Sequence, residues 1–169
     1  MDHSHHVHPA RTLSHAHRGA APQRRPSLNR TALMATLHCL LGCAIGEVAG
    51  LLIGTALGWG NASTIALAVV LAFVSGFGLT ALPLLRAGMA PRQALRIALA
   101  ADAASITIME VVDNALMLSI PGAMDAPIDS PVFWASMLVA LAIAGVAAYP
   151  LNRWLIARGK GHALAHAHY

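Results

Sequence analysis

Cys39, Cys43 and Glu47 recur every four residues in the stretch TALMATLHCLLGCAIGEVAGLLIGTALGW, with His38 beside the first of them. Residues four apart share one face of a helix, so a helix here stacks two thiols and a carboxylate in a line. A second set of donors, Asp102, Met109, Glu110, Asp113, Asn114 and Met117, lies in IALAADAASITIMEVVDNALMLS. At 100° per residue, its three acids and two methionines fall within an arc of roughly 100°. Thiolates, thioethers and imidazoles suit soft or borderline ions such as copper(I) and zinc, and carboxylates extend the range toward nickel, manganese and iron. Each donor also has an ordinary role. Cysteine and methionine pack well in apolar helices, and buried acids bond one another or relay protons.

The segments that carry these donors are long and apolar. Hydrophobic residues make up 57% of the 169-residue chain and charged residues 11%, whereas soluble domains carry about 25% charged residues. Spanning a bilayer takes about 20 apolar residues. Four helices are predicted, at 31–59, 63–84, 93–120 and 131–156, giving an all-α, four-transmembrane-helix bundle. Glycines 42, 46, 50, 54 and 58 form a further ladder on the first helix. Such a ladder, a glycine zipper, admits a second helix at close range. A homo-oligomer through this face is expected, with Cys39, Cys43 and Glu47 ringed about its axis.

All 11 Lys and Arg residues fall in the N-terminal tail, between the second and third helices, or at the C-terminal end. The positive-inside rule then predicts that both termini are cytoplasmic. The formal charge of +4 is explained by topology, and no nucleic-acid partner is expected. Residues 1–30 hold His3, His5, His6, His8, His15 and His17. Residues 158–169 hold His162, His166 and His168. The first reads as a disordered His/Arg-rich tail and the second as a basic His-rich tail, flanking a membrane domain at 31–157 and serving as metal-gathering arms, as plain solvated tails or, for the first, as an expression tag. No cleavable signal peptide is expected. The two cysteines do not suggest a disulfide framework.

Arg30 and Arg96 mark similar depths at the starts of two helices that run the same way. Counting at about 1.5 Å per residue, Cys43 comes level with Met109 and Glu110, and Glu47 with Asp113. His38 and Cys39 lie slightly deeper than Asp102. If the first and third helices touch, two clusters result: His38, Cys39 and Asp102, then Cys43, Met109 and Glu110 with Glu47, Asp113 and Asn114 beyond. In an up-down bundle the same two helices could stand diagonally.

The segments His38-Cys39-x-x-Gly42-Cys43-x-x-Gly46-Glu47, Met109-Glu110-x-x-Asp113-Asn114 and Asn152-x-Trp154-Leu155-Ile156-x-Arg158-Gly159-Lys160-Gly161-His162 resemble a bacterial four-helix membrane family, domain of unknown function 4396. The resemblance covers about 36–162. It implies the fold and a multi-pass protein of the bacterial inner membrane, with no activity attached. Some of its relatives are fused to, or set beside, copper-binding cupredoxin-like domains, which implies copper ahead of zinc or nickel, and a cupredoxin-like or metallochaperone partner in addition to membrane lipids. Metal transport or channelling is therefore the leading expectation, through a path that includes His38, Cys39, Cys43, Glu47, Asp102, Met109, Glu110, Asp113, Asn114, Met117 and His162. A non-transporting metal-binding or assembly module is the alternative, and a thiol redox protein using Cys39 and Cys43 is the third. No nucleotide loop, catalytic triad or hydrolytic signature is present, and an enzyme is not expected.

Overall fold

Two glycines end the first two helices and turn the chain back on itself. Gly58 and Gly88 have φ of +67° and +85°, a conformation that costs glycine little. At the first turn the Trp59 N–H donates to the Gly54 carbonyl and the Gly58 N–H to the Thr55 carbonyl. At the second, Met89 and Gly88 donate in the same pattern to Leu84 and Leu85. Both are Schellman motifs, which satisfy the last carbonyls of a helix.

The computed structural model describes residues 27–124 and 126–158. It contains α1 (Leu28–Ala56), α2 (Asn61–Arg86), α3 (Pro91–Ser119) and α4 (Pro131–Ala157), and no strand among the described residues. The helices start and stop near the expected positions, with local reasons for the differences. Ser27 caps α1 by accepting from the Arg30 N–H at 3.4 Å, which draws its start back from Thr31. Gly58 ends it before Trp59. Pro91 takes the first turn of α3, where a missing N–H goes unnoticed. The chain runs through Pro83 within α2.

Three helices, α1, α2 and α4, are long and apolar enough to cross a membrane. α3 matches α1 in length at 29 residues, but its acids dilute its apolar character. The distribution of side chains is the reverse of that in a water-soluble protein. Glu47, Asp102, Glu110 and Asp113 are buried, while Val146 is 75% exposed and Leu118 66%. Large apolar side chains over the whole outside and acids within suit a lipid surround.

α1 packs most extensively on α2, and each helix touches its sequence neighbours, with α4 closing back on α1. α1 and α3 therefore stand across the bundle from each other. Their contact depends on small residues in the helices between them. On α2, Thr64, Ala68, Ala72, Gly76 and Thr80 are buried, and on α4 so are Ser136, Ala140, Ala144, Ala148 and Asn152. Both sets step by four, so each helix offers one smooth face to the axis.

The glycine ladder meets α2 of the same chain. A Cβ at Gly42 would lie 2.7 Å from Gly76 Cα, and Cβ atoms at Gly46, Gly50 and Gly54 would collide with Ala72, Ala68 and Thr64. Each four-residue step along α1 matches a four-residue step back along α2. The groove expected to receive a second copy is thus filled by α2, and Cys39, Cys43 and Glu47 face the interior of one bundle. The ladder has four rungs, because Gly58 lies beyond the helix in the α1–α2 turn. Ser75 Oγ adds a bond across the contact, donating to the Gly42 carbonyl.

Candidate functional site

α1 supplies the line Cys39, Cys43, Glu47. These side chains are 1%, 0% and 5% exposed, because the neighbouring glycine face draws α1 against α2 and turns this line toward the axis. α3 supplies Asp102, Ser105, Met109, Glu110, Asp113 and Met117, all buried. The two lines meet across the diagonal as successive pairs.

The pair nearest the chain termini is Cys39 and Asp102, with the thiol donating to Asp102 Oδ1 at 3.7 Å. One turn along, Cys43 lies within hydrogen-bonding reach of Glu110. Beyond it, Glu47 is within hydrogen-bonding reach of Glu110 and electrostatic range of Asp113. Asn114 is half-buried and turned back along α3. Its Nδ2 donates to the Glu110 carbonyl at 2.9 Å and to Oε2 at 3.5 Å. Met109 packs in the apolar cluster that includes Cys39 and Cys43, and Met117 lies in a second cluster with Phe133 and Met137.

A polar network continues the column toward the termini. Asn152 Nδ2 on α4 donates to Thr36 Oγ1 on α1 and Ser105 Oγ on α3, each at 3.0 Å. Ser105 in turn lies within hydrogen-bonding reach of Cys39. His38, half-buried, meets Thr80 Oγ1 on α2 at 3.1 Å, and Thr80 also lies within hydrogen-bonding reach of Asp102. Asn152, Thr36, Ser105 and Thr80 were absent from the expected site. Each is a polar residue in an apolar helix, and Thr80 continues the four-residue ladder of α2; those were the available signals.

At the other end of the column three buried oxygens, Glu47 Oε1, Glu110 Oε1 and Asp113 Oδ1, have no hydrogen-bond partner among the described residues. Buried polar atoms nearly always have one. All six described arginines are exposed, so none balances these acids from within. The column can therefore hold protons or accept a cation. Among the described residues, no three His, Cys, Asp or Glu side chains stand together as a ready-made metal site; the donors are spread over successive depths, with Glu110 between Cys43 and Glu47. His162 and the His-rich tails lie outside the described residues.

No curated protein and no solved structure matches the chain. A family model, described as Domain of unknown function (DUF4396), matches residues 28–161. That span takes in all four helices and every donor of the column, and the chain belongs to this family.

Proposed function

We propose that this protein moves a metal ion, copper before zinc or nickel, across a membrane along the α1–α3 column. The observation that carries the reading is the stack of facing donors, Cys39 with Asp102, Cys43 with Glu110, and Glu47 beside Glu110 and Asp113, ending in carboxyl oxygens without partners among the described residues. A store needs only one closed site. Conduction needs several stations that an ion can enter and leave. Donors at successive depths, about 6 Å apart along α1 and about 12 Å and about 4.5 Å apart along α3, fit the second demand. This favours transport over storage.

The same reading takes α3 as a fourth span. Its acids point inward, and Leu95, Leu99, Val111 and Leu118 form its exposed face. With four antiparallel spans, Arg30, Arg86, Arg92, Arg96, Arg153 and Arg158 gather at one end. Arg153 Nε donates to Asn29 Oδ1 there at 2.8 Å. That end faces the cytoplasm under the positive-inside rule, in a bacterial inner membrane. The His-rich tails then receive or deliver metal on the cytoplasmic side, with a cupredoxin-like or metallochaperone protein as partner.

Metal flux into liposomes containing the full chain tests the reading. Glu47→Gln keeps the side-chain shape and removes the charge. It is expected to abolish flux while the protein still elutes as a folded species. Wild-type flux in that variant would overturn the role of Glu47, and binding without flux in the native chain would make this a store.

A further inference from the structure

Between the column and the end remote from the termini, the bundle leaves a cavity of about 30 Å³. One water needs about 10–15 Å³ measured this way, so there is room for one or two waters or one largely dehydrated ion. Glu47 and Asp113 line the cavity together with Met117, Met124 and Met137. The methionines come from three different elements: α3, the α3–α4 connection and α4. They are three of the chain's seven methionines.

Methionine's ordinary part in a core is to fill irregular gaps, since its side chain is long and adaptable. Here three of them border a gap that stays open. The same gap is bordered by the two acids whose Glu47 Oε1 and Asp113 Oδ1 lack hydrogen-bond partners among the described residues. Unfilled space, flexible sulfur-bearing side chains and carboxyl oxygens without partners among the described residues border the same cavity.

We propose that this cavity is a binding site for a soft monovalent cation, copper(I) or silver(I), held by the thioether sulfurs of Met117, Met124 and Met137 with the Glu47 and Asp113 carboxylates behind them. The proposal deepens the transport reading and rests on it. It names the class of ion and makes this cavity the first station from the side opposite the termini. Thioethers are soft, neutral ligands that select copper(I) over harder ions. They add no charge to the membrane interior, and the carboxylates balance that of the ion. From here the ion would pass to Glu110 and Cys43, one turn further in.

The test is silver(I) titration of the full-length protein in detergent, with zinc titrated in parallel. Leucine is close to methionine in volume, and such exchanges are well tolerated in cores. The triple variant Met117→Leu, Met124→Leu, Met137→Leu is expected to hold one fewer tightly bound silver ion per chain than the native protein, with zinc binding unchanged. A Cys39→Ser, Cys43→Ser variant is expected to keep the silver ion that the methionine variant loses. The three single methionine variants give a second measure, each weakening that one silver ion. Unchanged silver number and affinity in all the methionine variants would overturn the site, leaving a cavity that holds only water. That result leaves the transport reading intact if Glu47→Gln still blocks flux. A silver site present in a protein that carries no metal would overturn the transport reading alone.

Discussion

Adding one methyl group at Gly42 tests how α1 and α2 meet. A Cβ there would lie 2.7 Å from Gly76 Cα and 3.1 Å from its nitrogen, where carbon atoms pack best at about 3.5–4.0 Å. The helices must therefore part by about 1 Å at this rung to restore contact distance. At Gly46 the new methyl would fall within the backbone of Leu71 and Ala72, which has no rotamer to escape into. Overpacking of this kind costs about 1–3 kcal/mol, and replacing a mid-helix glycine by alanine returns about 0.5–1 kcal/mol. Gly42→Ala is expected to lose about 1 kcal/mol of stability, and Gly46→Ala about 2 kcal/mol or more, since backbone meets backbone there. Gly78, on α2, is the control: nothing lies within 4 Å of its added Cβ, so Gly78→Ala should be neutral or slightly stabilising. The assay is reversible unfolding of the purified protein in mixed micelles, followed by helix content and by oligomeric state. If Gly42→Ala and Gly46→Ala unfold like Gly78→Ala, the α1–α2 contact described above is wrong. If they leave monomer stability unchanged and instead dissociate a dimer or trimer, the glycine face belongs to a second copy after all.

Asn152→Ala should cost about 1–2 kcal/mol, because Thr36 and Ser105 lose a shared donor in the interior, and the same unfolding assay reads it. Cys43→Ala and Glu110→Gln are expected to couple: if the pair is one station, the double variant should lose little more metal flux than either single variant, and fully additive losses would place them on separate steps. Topology is checked by thiol labelling in a Cys39→Ser, Cys43→Ser background. A cysteine at Gly88 should react only from the cytoplasmic side and one at Asp129 only from the opposite side; equal access from one side would remove α3 as a span.

The donor lines on α1 and α3 were legible because a four-residue period on an apolar helix places side chains on one face whatever surrounds it. Their relative depth was legible too: Arg30 and Arg96 set the count, and Cys39–Asp102 and Glu47–Asp113 fall within a turn of it. What covers the glycine face was not legible. A smooth groove fits any smooth helix, and only the matching ladder from Thr64 to Thr80 would have pointed to α2. Periodicity also carried the ladder one rung too far, since Gly58 keeps the spacing while its backbone turns left-handed to end the helix. Asn152 was visible as a polar residue near a helix end, yet nothing in its own segment says that it reaches two other helices. Met124 and Met137 carried no signal, since methionine in an apolar context is ordinary.

The small residues and the donors are one design problem with one solution. α1 and α3 are diagonal, and diagonal helices in a four-helix bundle ordinarily keep a layer of large side chains between them. Here the buried faces of α2 and α4 are rich in small residues, among them Ala68, Ala72, Gly76, Ala140, Ala144 and Ala148, which leaves room between α1 and α3 for thiols, thioethers and carboxyls. The approach of the Gly/Ala faces therefore helps to set the pair distances of the column, beside the hydrogen bonds that cross it. Gly46→Ala is therefore expected to reduce metal flux along with stability, although its methyl group touches no donor, whereas Glu47→Gln should reduce flux and leave the packing alone. A Gly46→Ala protein that is measurably destabilised but conducts normally would separate the two, and would show that the donors hold their pairing without the help of α2.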